Sequence, residues 1–254
     1  MTLNVIVTDV NDNGPLFEES RYFILLDKNA LPGEEILTVH ASDPDQPMPG
    51  KDVQEVFYRI KEMLFDYRGM NRAVESMFTI GKTTGVIRLE QEVRMSITTL
   101  CVYFFKITKN FSEFVGGAFH LLLESMDSLD ENAHRDQCIV KVYIHDESDI
   151  VRMELPMPPA AVTYEKISTM RDTISNATGL KAMIKDLRYH HEEGNLIYDV
   201  TDLRLVLVNR TTSEIIPAER AIAIADKRRS AMGDNIPNMT KAQVWQFSKA
   251  CGKV

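Results

Sequence analysis

The chain has 254 residues, which suits two packed domains of about 100 to 150 residues better than one small domain. Hydrophobic residues make up 44% and charged residues 26%, with 12 Gly and 10 Pro, so a collagen-like rod and a disordered chain are excluded. Lys and Arg total 29 against 37 Asp and Glu, a net charge of −8 that disfavours a nucleic-acid partner and suits solvation or cation binding. The positions of the acids therefore matter more than their number.

Signals for export and redox state are mixed. No run of about 18 apolar residues is present, and residues 1–4 lack the start of a secretory signal. Four Asn-x-Ser/Thr triplets nevertheless indicate a secreted glycoprotein: they begin at Asn110, Asn176, Asn209 and Asn238. The three cysteines match no zinc or redox spacing, and at least one must be unpaired: Cys101, Cys138 and Cys251.

The first predicted element is a short strand over residues 3–7, which alternates apolar and polar residues. It runs into the polar sequence DVNDNGP at 9–15, which contains Asp9, Asn11, Asp12 and Asn13. One interpretation is a polar turn, because Asn, Asp, Gly and Pro favour turns. The other is a calcium site, because Ca²⁺ takes about six to eight oxygens from closely spaced carboxylates, amides and carbonyls.

Acids also follow two later predicted strands. Asp43 and Asp45 end the strand that includes Val39, and Asp127 ends the strand that begins near Leu121. Strand ends at one rim of a sandwich would bring these carboxylates to a single ion.

Together these motifs resemble a cadherin repeat and the linker before it. The linker Asp-x-Asn-Asp-Asn-x-Pro, the strand end Ala-x-Asp-x-Asp, the sequences FTI at 78–80 and TGVI at 84–87, and the strand CIVKVYIHD at 138–146 occur in the family's order. The resemblance covers about residues 1–149. It implies a seven-stranded Greek-key β-sandwich with Ca²⁺ held between successive repeats.

The resemblance also implies which residues hold the ions. Five residues match one calcium position of the linker: Asn11, Asn13, Asp43, Asp45 and Asp127. Asp9 and Asp12 match ligands of the other ions, which also need acids from a preceding repeat that is reduced here to its last strand. We therefore expect one assembled site and incomplete neighbouring ones.

The other end of the repeat departs from the family pattern. Asp27, Asp146 and Asp149 keep acidic positions, but both linker asparagines are lost and no Asp-x-Glu motif precedes them. The sequence predicts a calcium-free lower junction, as expected for the last repeat of a cadherin. The β-prone segment at 100–105 is predicted to be a buried or edge-covering extra strand. Cys101 and Cys138 either form a disulfide or remain buried thiols.

The second half changes from alternating to helical periodicity. Ile167, Met170, Ile174 and Ala177 predict an amphipathic helix that ends at Gly179. Strands are expected at 152–155, 182–190 and 203–208, a second helix at 218–232, and a last strand near Val244. This β-α-β-β-α-β order predicts a ferredoxin-like fold. It resembles the membrane-adjacent domain of long non-classical cadherins.

The predicted fold class is thus mostly β plus α+β, with a linker at 1–15, a cadherin repeat at 16–149 and a ferredoxin-like domain at 150–254. The resemblance implies calcium-dependent cell adhesion without enzymatic activity, on the extracellular side of the plasma membrane. It also implies tension-bearing links such as those of stereocilia, other cadherin chains as partners in a possible cis homodimer, and a longer, membrane-anchored parent chain.

The alternative function is a SEA-like autoproteolytic or hydrolytic extracellular module. Its Gly-Ser cleavage step is absent from the sequence EGN at 193–195. The nearby sequence HHEE at 190–193 contains metal-binding residue types, but neighbours on a strand point to opposite faces, so a solvated strand end is favoured over a metal site.

Overall fold

The computed structural model describes residues 10–45, 55–74, 77–90, 92–98, 101–107, 111–233 and 247–250, with the backbone alone at 92–98, 101–107 and 112–113. The predicted strand at 3–7, Asp9, Val244 and Cys251 lie outside these residues. Within them, no helix is long and apolar enough to cross a membrane.

The first part of the chain is a β-sandwich. Its strands, in chain order, are β1 (Leu16–Phe17), β2 (Arg21–Asp27), β3 (Glu35–Thr38), β4 (Ala41–Ser42), β5 (Phe57–Tyr67), β6 (Met70–Ala73), β7 (Phe78–Ile80), β8 (Val86–Leu89), β9 (Glu92–Thr98), β10 (Cys101–Ile107), β11 (Ala118–Met126) and β12 (Arg135–His145).

Two sheets form the layers of the sandwich. One has the order β2-β12-β11-β5-β6 and the other β3-β8-β7, while β1 and β4 pair separately. All neighbours are antiparallel except β2 and β12, which run parallel. The non-sequential neighbours β5–β11 and β2–β12 are the crossovers expected of a Greek key. The predicted β-sandwich is confirmed.

The core lies between these sheets because alternate residues of each strand point inward. Phe119, Leu121 and Leu123 of β11 are fully buried against Ile87 of β8. Phe111 and Phe114, in a 3₁₀ turn at Phe111–Phe114, add aromatic rings to the core. Cys138 of β12 is a free, buried thiol in this core, so it forms no disulfide with Cys101.

The predicted extra strand at 100–105 is present as β10. It pairs with β9 in an antiparallel hairpin, with Cys101 opposite Thr98. Among the described residues, this hairpin joins neither layer of the sandwich. It is therefore an appendage to the repeat.

The second part is an α/β layer. Its elements are β13 (Val151–Leu155), α1 (Tyr164–Thr178), β14 (Lys181–Glu192), β15 (Asn195–Val208), β16 (Ile215–Ile216), α2 (Ala218–Lys227), α3 (Arg229–Met232) and β17 (Phe247–Lys249). The predicted helix ending at Gly179 is confirmed, since Gly179 takes a left-handed φ of 73° and caps α1. The single helix predicted over 218–232 is wrong: the backbone leaves helical geometry at Arg228, and α3 follows.

Four strands of this layer form an antiparallel sheet of order β14-β15-β13-β17, with β16 beside β15. The connectivity is that of a split βαβ arrangement, although membership of the ferredoxin-like class remains a prediction. Both long helices pack on one face, where Met170 and Ile174 of α1 and Ala221 of α2 meet Leu205 of β15.

The opposite face of this sheet packs on the sandwich. Met183, Val206 and Val208 form a buried cluster with Ala118 of β11 and Tyr143 of β12. Successive side chains of β15 therefore point alternately toward the helices and toward the sandwich, and both sets are buried. The continuous apolar run at 203–208 reflects this double burial.

Candidate metal site

The predicted calcium ligands lie at one end of the sandwich, which we call the rim site: Asn11, Asn13, Asp43, Asp45 and Asp127. Asp43 and Asp45 follow β4, and Asp127 follows β11. Linker residues 10–15 run past both strand ends. The fold thus brings together residues separated by more than 100 positions in the chain.

The asparagines of the linker hold the carboxylates. The side-chain amide of Asn11 donates to Asp127 Oδ2 at 2.9 Å. The backbone N–H of Asn13 donates to Asp45 Oδ2 at 2.9 Å, and its side-chain amide donates to Asp45 Oδ1 at 2.5 Å and to Asp12 Oδ1 at 2.8 Å. These hydrogen bonds fix the linker against the repeat.

The linker is anchored further by residues that the sequence did not indicate. Asp136 accepts the backbone N–H of Phe17 at 2.9 Å, and Ser125 Oγ donates to the carbonyl of Pro15 at 3.4 Å. Gly14 passes so close that a Cβ there would lie 2.7 Å from Cβ of His134. Of these anchoring residues, Ser125, His134 and Asp136 belong to none of the motifs named in the sequence.

Two of the rim carboxylates, Asp45 and Asp127, are buried and have lowered pKa values. Asp45 is 7% exposed and Asp127 is 3% exposed. The hydrogen bonds of the Asn13 side chain and backbone lower the pKa of Asp45. Burial alone would raise the pKa of Asp127, but the hydrogen bonds from Asn11 and His134 outweigh it and the pKa is lowered.

One oxygen of the rim has no partner. Asp43 Oδ1 accepts the backbone N–H of Asp45 at 3.0 Å, while Asp43 Oδ2 is buried and makes no hydrogen bond. An unsatisfied buried carboxylate oxygen is costly and needs an explanation. A cation bound beside Asp43 Oδ2 would satisfy this oxygen, because hard cations bind carboxylate oxygens.

The charges around the rim are also unbalanced. Within the described ranges, no Lys or Arg lies within ion-pair distance of Asp43, Asp45 or Asp127, and the one basic partner is His134, whose Nδ1 is 2.9 Å from Asp127 Oδ2. The three carboxylates do not all lie within 4.8 Å of one another. Because like charges repel, an added cation would stabilise these three carboxylates.

The lower junction shows the opposite arrangement. Lys28 pairs with Asp146 and holds the pKa of that carboxyl at about 2. Lys185 lies 3.2 Å from Glu147 and 3.8 Å from Asp27.

Arg204, only 3% exposed, completes the junction by bridging the two parts of the chain. It pairs with Glu147 and lies 3.0 Å from Asp186. Asp149 caps the turn by accepting the backbone N–H of Asp146 at 2.9 Å. Protein cations therefore pair with Asp27, Asp146 and Glu147 here.

A second group of possible metal ligands occurs in the α/β layer. Glu154, His190 and Asp202 offer ligand atoms that all lie within 4.8 Å, so His190 meets acids from other strands rather than its sequence neighbours. His190 Nδ1 is 2.8 Å from Asp202 Oδ1, and Arg152 lies 3.0 Å from Glu154. Because Arg152 and His190 already contact these acids, the protein's own side chains satisfy the group.

The turn between β14 and β15 was the candidate site for self-cleavage. Glu193 and Gly194 both have positive φ values, 49° and 82°, as a tight two-residue hairpin requires. The next residue is Asn195 and carries no hydroxyl nucleophile. The geometry gives the autoproteolytic alternative no support.

Comparison with known proteins matches both parts of the chain. The family model of the cadherin-23 alpha/beta domain matches residues 121–226. Cadherin-87A of Drosophila melanogaster is 25% identical over 231 residues, 91% of this chain and 11% of that protein. Cadherin-23 of Mus musculus is 24% identical over 234 residues, 91% of this chain and 6% of that protein. The chain carries a non-classical cadherin repeat.

Other cadherins match a shorter region. Protein dachsous of Drosophila melanogaster is 38% identical over 91 residues, 36% of this chain and 2% of that protein. Among solved structures, mouse clustered PcdhgC3 EC1-3 aligns at 24% identity with a TM-score of 0.38, over 55% of this chain and 35% of that one. The chain spans about a tenth or less of the first-named cadherin relatives. These relatives are all named as cadherins.

Proposed function

We propose that this chain is a calcium-dependent adhesion fragment from the membrane-proximal part of a long cadherin, where it transmits tension on the extracellular side of the plasma membrane. Its partners are other cadherin chains, including a second copy of itself in a cis pair. One observation carries the calcium dependence: three carboxylates gather at the rim without Lys or Arg in the described part of the chain, and Asp43 Oδ2 is buried without a partner.

The proposed ligands of the ion are Asn11, Asn13, Asp43, Asp45 and Asp127. Asp9 and Asp12 are assigned to neighbouring ions that also need a preceding repeat. When bound, Ca²⁺ supplies a positive charge that several oxygens share. The chain's own contribution is to hold the linker at the rim, through Asn11 on Asp127 and Asn13 on Asp45.

The membrane-proximal position is supported by the lower junction. A calcium junction needs acids that are free to take an ion, and here Lys28, Lys185 and Arg204 already pair with those acids. The α/β layer also packs directly on the sandwich through the cluster around Tyr143 and Val206. We infer that this junction stays rigid without calcium and that the string of calcium-linked repeats ends here.

The test is the thermal stability of the 254-residue chain with and without millimolar calcium. For the wild type, a ligand at about 100 times its Kd adds about 2.7 kcal/mol to the free energy of unfolding. The double variant Asp43→Asn with Asp45→Asn keeps the side-chain shapes but removes two charges, so its response to calcium should be lost.

The matched control is Glu62→Gln, an exposed acid-to-amide change on β5 of the same sandwich. It should respond to calcium as the wild type does. Circular dichroism without calcium establishes that each variant is folded. Equal calcium responses in the wild type and the folded double variant would contradict the assignment of the rim site.

A further inference from the structure

A cavity of about 600 Å³ lies where the sandwich meets the α/β layer. The sandwich contributes β2 and β12, and the α/β layer contributes α1, the start of β14 and the loop after β15. The rim site and the lower junction use none of its residues. Its volume is within the range of small-ligand sites.

Positive charge dominates the walls of this cavity. Its cationic residues are Arg21, Lys141, Arg171, Lys181 and Arg210. The one acid in the wall, Asp172, is paired with Arg171 at 2.9 Å. A cluster of this kind is unexpected in a chain whose net charge is −8.

Four of these cations make no ion pair with a described acid. Across the described residues, no carboxylate lies within 4 Å of Arg21, Lys141, Lys181 or Arg210. At the lower junction, by contrast, Asp27, Asp146 and Glu147 each have a basic partner. The ammonium group of Lys181 instead lies against the ring of Phe23. Like charges held together without a counter-ion repel one another, which costs stability.

The ionisation of Lys181 reflects this repulsion. Burial, together with the nearby cations Lys141, Arg210 and Arg171, lowers the pKa of Lys181 to about 7. Burial likewise lowers the pKa of Lys141. An anion in the cavity would reverse both effects.

We propose that this cavity binds a sulfate or phosphate oxyanion, either as the free ion or as a sulfate ester on a sugar. Arginine presents a planar fork of N–H donors and lysine a compact point charge, and both suit tetrahedral oxyanions. The volume exceeds what a single such ion fills, so a sugar unit carrying the group also fits. The ligand would touch both parts of the chain and strengthen their contact.

The experiment measures binding of inorganic sulfate to the 254-residue chain, produced without N-glycans because Asn176 lines the cavity. Thermal stability and calorimetric titration are followed at constant ionic strength, with chloride replaced by sulfate. Sulfate should raise the melting temperature more than chloride does. Phosphate should act in the same direction.

The variant Lys141→Gln with Lys181→Gln removes two of the unpaired cations. Each charge-assisted hydrogen bond lost should weaken sulfate binding about tenfold. Without sulfate, the same variant should be at least as stable as the wild type, because the repulsion is relieved. This second readout separates a binding role from a structural one.

Lys82→Gln is the control, because it removes an exposed lysine of the sandwich outside the cavity. It should bind sulfate as the wild type does. A sulfated disaccharide that binds at least tenfold more tightly than free sulfate identifies a sugar-borne ligand, and equal affinities identify the free ion. The proposal is overturned if sulfate does no more than chloride, or if the Lys141/Lys181 double variant binds it like the wild type.

Discussion

At the scale of single residues, the carboxylates fall into two classes according to their neighbours. Glu124 of β11 is 1% exposed and receives hydrogen bonds from Arg59 at 2.7 Å, Lys61 at 3.1 Å and Gln137 at 2.9 Å. Asp43 at the rim has no such basic partner among the described residues, and its Oδ2 atom makes no hydrogen bond. The first arrangement stabilises the fold by itself, and the second suits an added cation.

Glu124 provides a prediction about pH. Burial alone would raise its pKa, but the hydrogen bonds from Gln137, Lys61 and Arg59 lower it from 4.5 to about 2. A depressed carboxyl pKa contributes stability that is present above pH 4.5 and lost as the pH falls toward 2. Glu124→Gln should therefore cost about 2–3 kcal/mol at pH 7 and almost nothing near pH 2.

Urea denaturation between pH 2 and pH 7 measures this difference. Glu62→Gln, on the exposed face of β5, should follow the wild type throughout. A stability gap between Glu124→Gln and wild type that stays constant with pH would show that the ionised carboxylate is not the source of the stability.

At the scale of elements, turns that need a left-handed backbone hold the sandwich strands in register. Gly85, between β7 and β8, has a φ of 66°, and a Cβ there would lie 2.2 Å from the carbonyl oxygen of Val39. Its own carbonyl accepts the N–H of Val39 at 3.0 Å. The turn therefore fixes the chain that leads to Asp43 and Asp45.

Two glycines allow the conformational cost to be separated from the steric cost. Gly179 also has a positive φ, 73°, but nothing lies within 4 Å of its missing Cβ. Gly179→Ala should cost about 1 kcal/mol, for the left-handed backbone alone. Gly85→Ala should cost about 2–4 kcal/mol, because the clash with Val39 adds to that strain.

Equilibrium denaturation of both variants measures the two costs. Because Gly85 lies beside the chain that leads to the rim, Gly85→Ala should also weaken the calcium response, whereas Gly179→Ala should leave it unchanged. Equal losses of stability in the two variants would show that the close approach to Val39 contributes nothing.

At the scale of the whole molecule, the two parts of the chain are joined by an apolar interface and by ion pairs. Arg204 lies in that junction and forms ion pairs with both Glu147 and Asp186. The hydrogen bond from Ile215 N to the Gly116 carbonyl, at 2.8 Å, links the backbones of the two parts directly. This junction should hold its geometry in the absence of calcium.

Arg204→Met tests the junction, since methionine keeps much of the apolar length but removes the buried cation that Glu147 and Asp186 share. The free energy of unfolding should fall by about 2–3 kcal/mol, by the same amount with and without calcium. Arg188→Met is the control, because Arg188 also pairs with Asp186 but is 58% exposed and should contribute less than about 1 kcal/mol. Recovery of the Arg204→Met loss by calcium would show that the junction binds the ion after all.

The sequence by itself determined the local features of this protein. Helical periodicity predicted α1. The resemblance to a cadherin repeat implied the sandwich and placed the run at 9–15 with Asp43, Asp45 and Asp127 at one rim. The break at Arg228 that divides α2 from α3 was not predictable, because the run at 218–232 is continuous in composition.

Only the tertiary structure decided which charges meet. The partners of Arg204 lie 57 and 18 positions away, His134 reaches Asp127 across a loop, and His190 meets Asp202 across strands rather than its sequence neighbours. The cationic cavity draws residues from β2, β12, α1 and β14. Electrostatic energies depend on distance in space. The pairing that gives the lower acids basic partners, and leaves the rim acids without a described Lys or Arg beside them, therefore exists only once the chain has folded.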